Sequence, residues 1–278
     1  MTALGAEEIR TRVESDFNRI VDVLNQKIAL QSISAKGITA DHMKRSAQFV
    51  ADLLREVGVD TKVVQSHNPD GTPGAWEVIG SKNVSEDAPT VLLYAHHDVQ
   101  PVPDPSVWNT DPFVGTEIDT RLYGRGAADD GGGIAIHSGA LKALEDDLKV
   151  NIKVFIEGEE EMGSPRFIPF IEEHRDEFAS DVIIVADSGN WSAEIPSLTT
   201  SLRGNTDIDV HVKALEHPVH SGQYGGPILD ANTLAAMLIS SMYDANGDFA
   251  VPGVASEEPV GGLQRDMDEA TVRADAGI

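Results

Sequence analysis

The chain has 278 residues, of which 41% are hydrophobic, enough to bury a sizeable core in one large domain or one and a half ordinary ones. Lys and Arg total 21 against 46 Asp and Glu, and the net charge of −25 repels phosphate backbones and anionic lipid, so neither nucleic acid nor a membrane is expected as a partner. Cysteine is absent, which excludes disulfides and thiolate metal sites and leaves His, Asp and Glu as the ligands for any transition metal.

The amino-terminal MTALGAEEIRTRVESDF lacks a basic stretch followed by an apolar one, and the apolar runs of the chain are strand-length, so the expectation is a soluble, cytoplasmic protein. From Ala6 to Ile28 the residues Ile9, Val13, Phe17, Ile20, Val21, Leu24 and Ile28 recur at the spacing of one apolar helix stripe. A second helix is predicted from Asp41 to Val57, with Gly58 just past its end. Asp60–Gln65 and Ala75–Ile79 read as strands around the turn-rich SHNPDGTPG. Next comes VLLYAHHD, an apolar run that delivers His96, His97 and Asp98 at its end and reads as a buried strand. Alternation turns His97 to the opposite face from His96, either into the core or behind the site residues.

A long Pro-, Gly- and Asp-rich stretch follows, ending in GRGAADDGGG before a helical pattern from Ile134 to Leu144. Long loops inside a compact domain are usually functional. Taken alone, this one also reads as a Gly-rich turn closing on an acidic helix cap. It is not a phosphate-binding loop, because no Gly-Lys-Ser/Thr follows. The strand Asn151–Ile156 runs into EGEEEMGSP, where crowded carboxylates raise one another's pKa unless a cation neutralises them. The bland reading is an exposed acidic turn before a helix, with Ser164 as cap and Pro165 in its first turn. Ser180–Asp187 is a further apolar run ending in a carboxylate. Parallel strands bring such ends to one sheet edge, where open α/β sheets place their ligands. One histidine with several carboxylates suits a hydrolytic pair of zinc, manganese or cobalt ions. The fold class is α/β, a mixed, mostly parallel sheet flanked by helices.

The motifs YAHHDVQPV, WNTDPF, LYGRGAADD, FIEGEEEMGS and IIVADSGNW, in this order, resemble those of the M20 metallopeptidases. That family includes dipeptidases and carnosinases, carboxypeptidases, aminoacylases and desuccinylases, and YxHxDVQP with EGxEExGS resembles its dipeptidase branch. The resemblance implies a zinc-exopeptidase-like catalytic domain over residues 1–196 and a partial α+β lid or dimerisation domain over 197–278. It implies two divalent metal ions, zinc with manganese or cobalt as alternatives. His96 and Asp187 would hold one ion, Glu161 the other, and Asp129 would bridge them. Asp98 would orient His96, Glu160 would be the general base, and the Asp129–Asp130 peptide bond would be cis. HSGQYGG resembles a segment of the lid domain, so that His220 would act on the substrate carbonyl, commonly in the other subunit of a homodimer. The helix at about Ala231–Tyr243 would lie at that interface.

SLRGNTDIDVHVKA reads as two strands, with alternation at Ile208, Val210 and Val212. Gly131 stands where the family commonly has Lys after the Asp pair. Family members also continue beyond the HSG segment and return to supply a final histidine ligand, whereas no His follows His220 and the tail from Ala255 is polar and turn-rich. The leading function is hydrolysis of dipeptides or small peptides by a water activated between two metals. The alternatives are an N-acyl-amino-acid deacylase and, outside the enzymes, a truncated homologue acting as a dimerisation or scaffold partner.

Overall fold

A computed structural model describes residues 4–190, 192, 195–200, 202, 204–254 and 268–277. The chain divides into two units, Met1–Pro196 and Ser197–Ile278.

The first unit opens with α1 (Ala6–Ala29) and α2 (Asp41–Glu56). The stripe of α1 buries Val23 and Ile28, but Phe17 is exposed, so the buried face is narrower there than the periodicity implies. Gly58 follows α2 at φ +82°, the left-handed position that glycine accepts without strain, and its N–H donates to the Arg55 carbonyl at 2.9 Å. Five strands follow: β1 (Asp60–His67), β2 (Pro73–Lys82), β3 (Thr90–His96), then, beyond an intervening hairpin and helix, β6 (Asn151–Glu157) and β7 (Val182–Val185). The hairpin is β4 (Thr116–Ile118) and β5 (Arg121–Tyr123), turned by Asp119 and Thr120 at positive φ. The helix between β5 and β6 is α3 (Gly131–Leu144). After β6 come α4 (Phe167–Glu173) and α5 (Arg175–Phe178).

The sheet order is β1-β2-β6-β3-β7. β1 and β2 pair antiparallel, as do β2 and β6, while β3 runs parallel to both β6 and β7. The sheet is therefore mixed, with β2 alone reversed. Leu93 and Ala95 of β3 and Ile152, Val154 and Ile156 of β6 pack under α2 and α3 with Val50, Leu54 and Ile134. On the opposite face Ile79, Leu92 and Phe155 meet Phe170 and Phe178 of α4 and α5. β7 differs from β3 in burial, since Val182, Ile183, Ile184 and Val185 are each about half exposed.

Two local expectations are corrected. Ser164 does not cap a helix: it stands at φ +51°, its carbonyl accepts from Phe167 N–H at 3.1 Å, and α4 begins only at Phe167. In the second unit no strand is present among the described residues, and Ile208 and Val210 are exposed. Among the described residues the alternation there meets neither a hydrogen-bonding neighbour nor a layer to bury against, and a strand needs both. That unit contains α6 (Ser221–Tyr224), α7 (Ala231–Ser240) and α8 (Glu269–Ala276). α8 interrupts the tail read as turn-rich. It is capped by Asp268, which accepts from Thr271 N–H at 2.9 Å, and closed by Gly277 at φ +71°. Trp191 of the IIVADSGNW motif and residues 255–267 of the tail lie outside the described residues. No helix among the described residues is long and apolar enough to cross a membrane.

Candidate metal centre

Because β6, β3 and β7 run parallel, their carboxyl ends reach one edge, and the register sets His96 beside Glu157 and Tyr94 beside Val185. His96 is buried at this edge. Its Nδ1 lies 3.1 Å from the Asp98 carbonyl and 3.3 Å from Asp98 Oδ1. Its Nε2 faces three carboxylates: Asp129 Oδ1 at 2.9 Å, Glu160 Oε2 at 3.8 Å and Asp187 Oδ2 at 3.9 Å. Ligand atoms of His96, Glu160 and Asp187 lie within 4.8 Å of one another.

Asp98 ties two strand ends together. Beyond its contact with His96, it accepts from Glu160 N–H through Oδ1 and from Glu161 N–H through Oδ2, each at 3.1 Å. The turn after β6 is thereby held against the end of β3. Burial works to raise the Asp98 carboxyl, but hydrogen bonds from His96 and Ser34 hold it below the usual carboxylate range. Burial likewise opposes charge on His96, yet the bond to Asp98 and the charges of Asp98, Asp130 and Asp187 outweigh it and lift the imidazolium to about 10. Burial pushes Glu160 and Glu161 upward, with neighbouring carboxylates adding to the effect.

Asp129 and Asp130 divide their duties. The peptide bond between them is cis. Asp129 faces His96 with its side chain 61% exposed, whereas Asp130 is buried. Asp130 caps α3 through Gly133 N–H at 2.9 Å and accepts from His96 N–H at 3.0 Å. The acidic helix cap and the site carboxylate are thus both present, on adjacent residues. Glu161 is turned aside, its carboxylate accepting from Gln100 N–H at 3.2 Å and from Gln100 Nε2 at 2.7 Å. His220 lies in the second unit at the start of α6, exposed, with Nδ1 accepting from Gly222 N–H at 3.1 Å. His97 is buried against α2, where Ser46 Oγ lies 3.1 Å from Nδ1 and the Trp76 carbonyl 2.6 Å from Nε2; burial keeps it neutral, with a pKa of about 4.

Sequence reasoning assigned nothing to Gln100 or Lys27. An Asp immediately before GGGIAIH is a helix-cap signal that marks Asp130. Nothing in the local sequence marks Lys27, which sits within the stripe of α1. It is fully buried and its Nζ donates to Ser32 Oγ at 2.8 Å; that hydroxyl donates to the His97 carbonyl at 2.6 Å. Burial pushes the ammonium down to about 8 from its ordinary 10.5, against the pull of Asp98 and Asp130. Between pH 8 and 10.5 the unfolded chain holds this proton more tightly than the folded one, so stability rises with pH across that window; below pH 8 the full cost of burying the cation is present. Lys27→Met removes the buried cation and is accordingly expected to be more stable than the parent at pH 7. Its advantage should shrink from pH 8 to 10.5, as read by urea unfolding at three pH values. Lower stability of the variant at pH 7 would show that Lys27 holds the fold together through its hydrogen bond.

The donor set of one imidazole nitrogen with several carboxylates in a negative field fits a divalent metal of intermediate softness. A divalent ion at His96 Nε2 would neutralise the carboxylates gathered there and would bind the deprotonated nitrogen. The Asp98 contact at Nδ1 is the outer partner that a metal-bound histidine requires.

The family model described as peptidase family M20/M25/M40 matches residues 92–272. The cysteinylglycine-S-conjugate dipeptidase of Corynebacterium striatum is 36% identical over 263 residues, which cover 94% of this chain and 56% of the relative. The β-Ala-His dipeptidase of Homo sapiens is 33% identical, covering 90% of this chain and 52% of the relative. The crystal structure of human carnosine dipeptidase 1 superposes with a TM-score of 0.69 at 26% identity, covering 98% of this chain and 61% of that one. The chain spans about half the length of the curated relatives it matches. With the family model spanning most of it and the carboxylates gathered about His96 at the sheet edge, this chain belongs to peptidase family M20/M25/M40.

Proposed function

We propose that this chain forms the metal-binding part of a dipeptidase, in which residues 1–196 carry the centre and residues 197–278 contribute to a lid and homodimer interface. The observation that carries the reading is the convergence of Asp129, Glu160 and Asp187 on the one ring nitrogen of His96 that faces them. Two ions, zinc in the first instance, would be held by His96, Asp129 and Asp187 on one side and by Asp129 and Glu161 on the other. When bound, the metal supplies polarisation of the scissile carbonyl and a lowered pKa for the attacking water. Asp98 orients His96 and fixes the backbone of Glu160 and Glu161. Glu160, its carboxyl raised by burial, accepts the proton of the attacking water and returns it to the leaving amine. His220 would stabilise the developing charge on the carbonyl oxygen. The names of the relatives favour dipeptides over N-acyl amino acids as substrates, with cysteinylglycine conjugates and β-alanyl-histidine as the first probes.

The test is elemental analysis of the purified chain and of Asp129→Ala, followed by hydrolysis of cysteinylglycine and β-alanyl-histidine with and without a chelator. Bound divalent metal that is lost in Asp129→Ala, with hydrolysis abolished by the chelator, is the expected result. Metal absent from both proteins would sink the reading and leave the scaffold role.

A further inference from the structure

The turn that carries Glu160 and Glu161 is gripped on one side by Asp98. On its other side Glu159, 1% exposed, turns inward. One of its carboxylate oxygens accepts from Arg166 N–H at 2.9 Å, and the other pairs with Arg166 Nη2. Arg166 extends the chain of contacts by donating from Nη1 to Asn68 Oδ1, beyond the end of β1, at 2.6 Å. The backbone of the same turn closes on Glu159, whose carbonyl accepts from Met162 N–H at 3.0 Å and Ser164 N–H at 3.2 Å. β2 leaves room for the guanidinium: a Cβ added at Gly74 would come within 2.5 Å of Arg166 Nε. The carboxylate and cation therefore sit in a built slot, behind the three-residue turn Glu160–Met162.

We infer that Glu159 and Arg166 are positioning residues for the metal centre, a buried clamp that holds the 160–162 turn so that Glu160 and Glu161 meet Asp98 and the site. The inference rests on the dinuclear hydrolase reading and extends it to residues that touch neither the carboxylates around His96 nor substrate. A buried ion pair is a poor source of stability, because desolvation of both charges offsets their attraction. The pair is explained by the geometry it imposes on the turn.

Arg166→Met strands a buried carboxylate and risks the fold. The paired change Glu159→Met with Arg166→Met removes both charges together, which is often neutral for stability. For the double variant the melting temperature is expected to stay within a few degrees of the parent. Amide exchange at Glu160 and Glu161 should accelerate by about tenfold relative to the amides of β6. Zn²⁺ affinity, read by competition with a chromophoric chelator, should fall by about 10- to 100-fold. Unchanged exchange in the turn would overturn the inference, and so would exchange that rises equally across turn and β6, since that marks a merely structural pair. Retained Zn²⁺ affinity in the double variant would overturn it as well. If the parent chain itself binds no Zn²⁺, the dinuclear reading falls, and the exchange pattern alone decides whether the clamp exists.

Discussion

Asp98→Ala is expected to destabilise the first unit by about 3–5 kcal/mol and to weaken metal binding by about 10- to 100-fold. The size of the effect follows from how many groups share this one buried carboxylate. His96 Nδ1 and the backbone N–H groups of Glu160 and Glu161 all lie within hydrogen-bonding reach of it. Each donor left without a partner in a water-free interior costs about 1–3 kcal/mol. The carboxylate is itself favoured by its surroundings, since its hydrogen bonds keep it ionised against burial. Asp98→Asn separates charge from shape: the amide retains one acceptor oxygen but turns an NH₂ toward a backbone N–H that also donates. Its loss of stability should be smaller than that of the alanine variant, while its metal affinity falls by a similar factor. Denaturant unfolding and chelator competition on both variants provide the check. A melting curve and metal affinity at parental values for Asp98→Ala would show that the turn after β6 needs no anchor at β3.

Phe155→Ala is expected to cost about 3–5 kcal/mol of stability without removing any group of the metal centre. Phe155 is 2% exposed on β6 and stands at the middle of an aromatic cluster. Its ring centroid lies 5.0 Å from that of Phe178, 5.6 Å from Phe170, 5.7 Å from Tyr94 and 5.8 Å from Phe167. These contacts dock α4 and α5 on the sheet, and truncation leaves a cavity as well as losing transfer free energy. Phe155→Leu, which keeps most of the volume, should lose less than half as much. Glu157 follows two residues later on the same face and accepts from Tyr94 Oη at 2.7 Å, so the end of β6 that lies beside His96 leans on this cluster. The chelator competition should nonetheless change less than for Asp98→Ala. An equal or greater loss of metal affinity would mean that α4 and α5 set the position of the turn directly.

Much of the arrangement could be read from local pattern. Apolar runs ending in His96 and Asp187 had to be strands with polar carboxyl ends, and α1, α2 and α3 follow their periodicity to within a few residues. His97 faced the core because strand side chains alternate. The strands expected in the second unit are absent among the described residues for a related reason: alternation at Ile208, Val210 and Val212 is a local signal, and a strand exists only when a neighbour accepts its hydrogen bonds. The helix α8 escaped notice because short, polar helices lack a stripe, although Asp268 and Gly277 carried its cap signals.

By itself the sequence determined the element types, the ligand alphabet of nitrogen and oxygen, and the order in which acidic groups leave the sheet, because these depend on residue identity and short-range periodicity. Only the tertiary structure decided that Asp98 holds His96 and the turn of Glu160 and Glu161 at once. It likewise set Glu161 against Gln100, divided cap from site between Asp130 and Asp129, and buried Lys27 behind His97. The Asp98 contacts join residues 62 and 63 positions apart, and like the approach of Asp187 to His96 they depend on the parallel register of three strands, which no local pattern encodes.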